Sequence, residues 1–291
     1  MKQPGAGLLF NPMLVDFVER SDAGIDHLAV IPDRCWVDHG IGRARRFEPL
    51  RGPIELIDRA AERGPVVLHG IGLSICSADL FDRGYLEQLA RWRERLASPW
   101  VSEHLSFSRF GGEHDTGAAL ALASPYDSEL LDLVAPRAIE AQQMLGVPLL
   151  LENNVNYLRY VDEDFSEAAF LNRLVAASGC GLLLDLHNLH TNALNHRFDA
   201  RTFIDELDTT AVQEVHVAGG DAMLGMHTDS HAGPVLPEVW ALLEHLLPSA
   251  PNLQAITFEF HEGSWGLLKT AGVRAQLTRI RQIVEDSRVA A

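Results

Sequence analysis

Residues 179–196 read GCGLLLDLHNLHTNALNH, and how this stretch is read decides the fold. A short leucine run, Leu182 to Leu184, leads into Asp185, and three histidines and three asparagines follow within eleven residues. An apolar run this short is a strand covered on both faces, as in a parallel sheet wrapped by helices. The acid and its neighbours then stand where that strand leaves the core. The plan recurs along the chain. Apolar runs at 7–10, 27–31, 66–69, 100–104, 149–152, 182–185, 211–216 and 255–259 alternate with longer stretches. In those stretches, SELLDLVAPRAIEAQQML from Ser128 among them, apolar residues fall three and four apart. Eight strand–helix units predict an α/β fold, a single (β/α)8 TIM barrel over residues 1–291.

Barrel active sites gather at the carboxyl ends of the strands and in the loops that follow them. Here those ends carry His69, His104, Glu152, Asp185, His216 and Glu259; Asn188 lies just past Asp185, and the loop after strand seven adds Asp229 and His231. Nine imidazole, carboxylate and amide donors without a thiolate suit iron, manganese or zinc. They exceed the need of one ion, so two or three ions sharing carboxylates are expected. Spacing leaves the chemistry open. Ferrous ions would bind O2 and substrate at open positions; zinc would activate water. A hydrolase like the apurinic-site endonuclease IV, a sugar isomerase like xylose isomerase and a non-catalytic metal- or peptide-binding barrel are the alternatives. Three residues are catalytic candidates: Asp185; Glu103, as a partner orienting the His104 imidazole or as one half of a loop salt bridge; and His187. On a strand-to-loop exit, His187 would point the same way as Asp185, as an added ligand, a proton donor or an imidazole bonded to a carboxylate. His27, His39, His114, His196 and His245 lie off the pattern and read as surface or packing residues, and Cys35 and Cys76 as packing thiols.

Composition narrows the partners. The net charge of −16 argues against non-specific binding to nucleic acid or to an anionic membrane. No apolar run is long enough to span a bilayer and the start lacks a signal-peptide core, so the expected location is cytoplasmic. Three scattered cysteines fit a reducing compartment.

Six stretches carry a family resemblance: LHGIGLSICSADLFDRGYLE from Leu68, WVSEHLSFSR from Trp100, GVPLLLENNVNYLR from Gly146, GLLLDLHNLHTNALNHR from Gly181, EVHVAGGD from Glu214 and DSHAGPVL from Asp229. In this order they resemble the multinuclear non-haem iron-dependent oxidases, barrels like the methanobactin-biosynthesis oxidase and long catalogued as a domain of unknown function. The resemblance implies two or three irons, cycling between Fe(II) and Fe(III), with O2 as co-substrate. It implies modification of a ribosomally made precursor peptide, often at cysteine, with a small partner protein that recruits the leader. Carried over by motif, the ligands would be His69, His104, Glu152, Asp185, Asn188, His216, Asp229, His231 and Glu259. The chain departs from the family at His187-Asn188, where two asparagines are usual, and at His190, where an aromatic is common. Pro32 to Trp36 replaces a Glu-Asn-Tyr stretch, and Ala232-Gly233 stands where Asp-His is usual. With the chain spent on one barrel, no leader-binding module is expected before Gly5 or after Ala290, which makes a separate partner the expectation.

Overall fold

The leucine run forms the strand Gly181–Asp185, every residue of which is buried. A computed structural model describes residues 3–20, 24–110 and 121–290 of the chain. Around this strand eight parallel strands close into a barrel: Gly5–Leu9, His27–Val30, Val66–Gly70, Val101–His104, Leu149–Glu152, Gly181–Asp185, Val212–Ala218 and Ala255–Glu259. Each pairs with its neighbours in chain order, and the last returns to the first through Gly5 to Leu8 against Ala255 to Phe258. Closure leaves no barrel edge open to another chain.

Side chains alternate across each strand. One set, including Leu8, Leu68, Val101, Leu149, Leu151, Leu184, Val215 and Phe258, belongs to the large core beneath the surrounding helices. The other set fills the barrel, where Leu9, Ile31, Val67, Trp100, Leu150 and Leu183 form a small cluster of their own. Each fully buried leucine contributes roughly 1.5–3 kcal/mol. This parity aims the strand-end donors. His69, Glu152 and Asp185 fall two residues after the inward Val67, Leu150 and Leu183, and so enter the mouth of the barrel.

The return helices start and stop where local chemistry dictates. Ser128–Leu145 opens on Asp127, whose carboxylate accepts from the Leu130 amide, and Glu167–Ser178 opens on Ser166 in the same way. Both end on a glycine of positive φ, Gly146 and Gly179. Among the described residues no helix is long and apolar enough to cross a membrane.

Three local features differ from expectation. The segment after Asp185 is not a loop: Leu186–His196 is a helix, and Asp185 caps it. Two small ribbons interrupt the loops, Trp36–Asp38 with Phe47–Pro49 and Ala222–Met223 with Met226–His227. Strands of two or three residues are too short to show a period. The second ribbon turns through Leu224 and Gly225, both at positive φ.

Candidate metal centre

The barrel brings the predicted donors into three overlapping groups: His69, His104 and Glu152; Glu152, Asp185 and His216; Asp185, His231 and Glu259. Within each group the ligand atoms lie within 4.8 Å of one another. Glu152 belongs to the first two groups and Asp185 to the last two, so each carboxyl stands between two sets of donors. Glu152 Oε2 is 3.5 Å from His69 Nε2 and 3.2 Å from His104 Nε2. His216 Nδ1 stands 4.0 Å from Glu152 Oε1 and 3.1 Å from Glu259 Oε2. His231 lies between Glu259, 3.3 Å from its Nδ1, and Asp229, 2.9 Å from its Nε2. Asp229 is thus beside the third group, at the solvent side of the mouth.

Neighbours aim these side chains. His69 Nδ1 lies 3.0 Å from Ser102 Oγ, whose own proton goes to the Leu68 carbonyl, so the imidazole donates there and turns Nε2 to the cluster. Asp185 Oδ1 accepts from the Asn188 amide at 2.7 Å, capping the helix and leaving Oδ2 to face inward. Asn153 clamps the same strand end, donating to the Asp185 carbonyl and accepting from its amide. Asn188 Nδ2 donates to the Asn153 carbonyl, which fixes its amide plane. Asn153 is not among the residues the strand ends predict; its signal in the sequence is an amide side chain one residue past a strand end.

Whether these residues fit a metal is answered by what they leave unpaired. Glu152 Oε2, Asp185 Oδ2, Asn188 Oδ1, His216 Nδ1 and His231 Nε2 are buried and make no well-formed hydrogen bond; Glu152 Oε2, His216 Nδ1 and His231 Nε2 face only other proposed ligands, His104, Glu259 and Asp229. Such orphans are rare, because each forfeits its hydration. Five of them on five proposed ligands fit cations. Protonation tells the same story. Burial pushes Asp185 well above the usual carboxylate range, and the charge of Glu152 adds to it. Burial disfavours the His104 and His231 cations too, yet Glu152 raises the first to about 9, and Glu259 and Asp229 raise the second to about 10. Without metal, protons on imidazoles balance the carboxylates.

Glu103 requires a correction. It does not orient His104, because adjacent strand residues face opposite ways. Its Oε1 instead accepts from Tyr85 Oη at 2.8 Å and from the Leu73 amide at 3.1 Å, under the helix Arg83–Leu96. His187 also sits differently from the expectation, because it lies in the first turn of a helix. It is buried against Gly220, where a Cβ would approach its Cε1 to 2.2 Å, and its ring centroid is 5.7 Å from that of His231. Burial and His231 lower it to about 4, so it is neutral, and its Nδ1 has no partner. His190, half-buried, lies one turn further along the same helix. Replacing His187 with asparagine is expected to leave the metal count unchanged and to alter rate or pH dependence modestly. Loss of one ion by elemental analysis would make His187 a ligand.

The remaining histidines fit packing or surface roles, His27 deep inside the barrel and His39 and His245 in exposed pairs with Glu48 and Asp205. His114 lies outside the described residues. Cys35 and Cys76 are buried, and burial raises both thiols to about 12, which suits packing.

Comparison with known proteins adds the following. The family model described as RiPP precursor modification enzyme MbnB/TglH/ChrH matches residues 5–284. A UPF0276 protein of Rhizorhabdus wittichii is 38% identical over 235 residues, covering 80% of this chain and 75% of that one. A UPF0276 protein of Caulobacter vibrioides is 36% identical over 230 residues, covering 78% and 76%. In fold the chain is similar to D-psicose 3-epimerase of Clostridium cellulolyticum H10, with TM-score 0.56 at 11% identity and 98% and 96% covered. It is also similar to a xylose isomerase domain containing protein of Salmonella typhimurium LT2, with TM-score 0.57 at 11% identity and 93% and 91% covered.

Proposed function

We propose a reaction for this chain, which belongs to the RiPP precursor modification enzyme family MbnB/TglH/ChrH: it is a multinuclear non-haem iron-dependent oxidase that uses O2 to modify a precursor peptide, often at cysteine. The observation that carries this reading is the set of five orphaned buried donor atoms, in groups joined by Glu152 and Asp185. His69, His104, Glu152, Asp185, Asn188, His216, Asp229, His231 and Glu259 would hold two or three irons. When bound, these supply redox chemistry and open positions for O2 and substrate.

The chain's own residues do the rest. Ser102 holds the His69 imidazole with Nε2 inward, and Asn153 locks the ends of two strands together, so donors are in place before substrate arrives. His104 and His231, on the half-buried rim, line the way in from solvent. His187, neutral and beside His231, is placed to accept a proton at Nδ1. The net charge of −16 slows encounter with an acidic leader. A small recognition protein therefore delivers the peptide, and the complex works in the cytoplasm.

The test is anaerobic reconstitution with ferrous iron, followed by exposure to O2 with a precursor peptide encoded nearby, with and without the neighbouring gene product. Elemental analysis and Mössbauer spectra should show at least two irons per chain, and peptide mass spectrometry should show a mass change that needs O2 and is strongest with the partner. One tightly held zinc with no competence for iron would sink the oxidase reading. Full-rate modification by the isolated chain would remove the partner.

A further inference from the structure

Beneath the proposed ligands the barrel interior holds a second polar layer. Glu214 lies two residues before His216 on the same strand and is fully buried. Its Oε1 is 3.3 Å from His216 Nε2 and accepts from Thr257 Oγ1 at 2.9 Å, while Oε2 accepts from Trp100 Nε1 at 2.8 Å. His27 Nε2 lies 2.9 Å from the same Thr257 hydroxyl. His27 has room because the first strand carries Gly7 opposite it: a Cβ there would stand 2.2 Å from His27 Nε2. Branched apolar side chains ordinarily fill a barrel at this depth. A buried carboxylate costs several kcal/mol unless its oxygens are bonded, and here both are.

We propose that Glu214, Thr257, Trp100 and His27 form a positioning network that makes His216 face the metals through Nδ1, and that Gly7, level with both His27 and Thr257 on the strand between theirs, leaves the space the His27 ring occupies. This rests on the reading of the cluster as a metal centre. Trp100 Nε1 only donates. A carboxylate only accepts, so the one Thr257 proton goes to Glu214, and His27 must donate to Thr257. Glu214, already accepting twice, takes the His216 Nε2 proton as well. Nδ1, the atom that faces Glu259 at 3.1 Å and Glu152 at 4.0 Å, is then the nitrogen whose lone pair a metal would take. At His69 the roles reverse: Nδ1 donates to Ser102, and Nε2 faces the cluster. Two histidines of one centre thus present opposite nitrogens, because their anchors sit on opposite sides of the ring.

The test uses Zn(II) as the probe, because it is diamagnetic and needs no turnover. In zinc-loaded wild-type protein, nitrogen–proton correlation spectra should show His216 protonated at Nε2 and metal-bound at Nδ1, and His69 the reverse. Thr257→Val should weaken the ion held by His216 by about 10–100-fold in chelator competition, and Thr257→Ser should restore it. Gly7→Ala should weaken the same ion by displacing His27. Metal bound at Nε2 of His216 in the wild type would overturn the proposal whether or not the variants fold. So would Thr257→Val and Gly7→Ala proteins that hold every ion within twofold of wild type. A wild-type protein that takes up no zinc, cobalt or iron would instead overturn the metal reading itself.

Discussion

Substituting Asp185 with asparagine is expected to lower turnover at least about a thousandfold, equivalent to roughly 4 kcal/mol of lost transition-state stabilisation, and to remove metal from a barrel that stays folded. Asparagine retains a side-chain oxygen for the Asn188 amide, so the helix cap survives. What is lost is Oδ2 as a carboxylate oxygen, buried and without a hydrogen bond, on a residue shared by two donor groups. In the metal-free protein the substitution removes a carboxyl that sits beside Glu152 and Glu259, the like charges that help hold it protonated. The metal-free melting temperature should therefore equal or exceed that of wild type, while the rise on adding metal shrinks. Glu152→Ala should cost as much activity, because Glu152 is the residue common to the other pair of donor groups. Full metal content with full turnover in either variant would show the bridging assignment to be wrong at that position.

Metal affinity should climb steeply with pH between about 6 and 9. Without metal, His104 and His231 hold protons up to about 9 and about 10, and His216 is also raised, its burial outweighed by Glu214 and Glu259. Each nitrogen must lose its proton to bind a cation. Below these values affinity gains up to about tenfold per pH unit for each proton displaced, and binding acidifies a weakly buffered solution. The stability of the metal-free protein has the opposite slope. Histidines raised above their ordinary 6.5 contribute stability that is fully present below that value and lost as pH rises through about 9 and about 10. Titrations at several pH values, paired with melting curves of metal-free protein, would check both slopes. Affinity that did not change across this range would exclude displaced imidazole protons.

The eight strands were legible because each is a short apolar run, and the site because parity carries the last inward residue of a strand to the mouth. The same parity marks a layer beneath the donors: Ser102 two before His104, Glu214 two before His216 and Thr257 two before Glu259. A donor beneath a donor on one face is a readable signal, and Glu103 shows the reverse, one step off and facing a helix. The helix after Asp185 was hidden by its composition, since histidines and asparagines are weak helix formers. The Asp185 cap and packing of Leu186 and Leu189 into the core decide it. The small ribbons depend on tertiary ties, such as Asn195, which bonds both ways to His227.

His231 adopts φ 46, a left-handed conformation that an L-residue takes only under constraint, on a loop tied back through Tyr157 to the Asp229 amide. The first two donor groups stand on strands, whereas the third needs this surface segment. The centre therefore has a permanent foundation and a removable roof. An ion under the roof should exchange fastest when the protein is challenged with chelator, and insertions or substitutions between residues 219 and 236 could retune one position of the cluster while the barrel beneath it stays as it is.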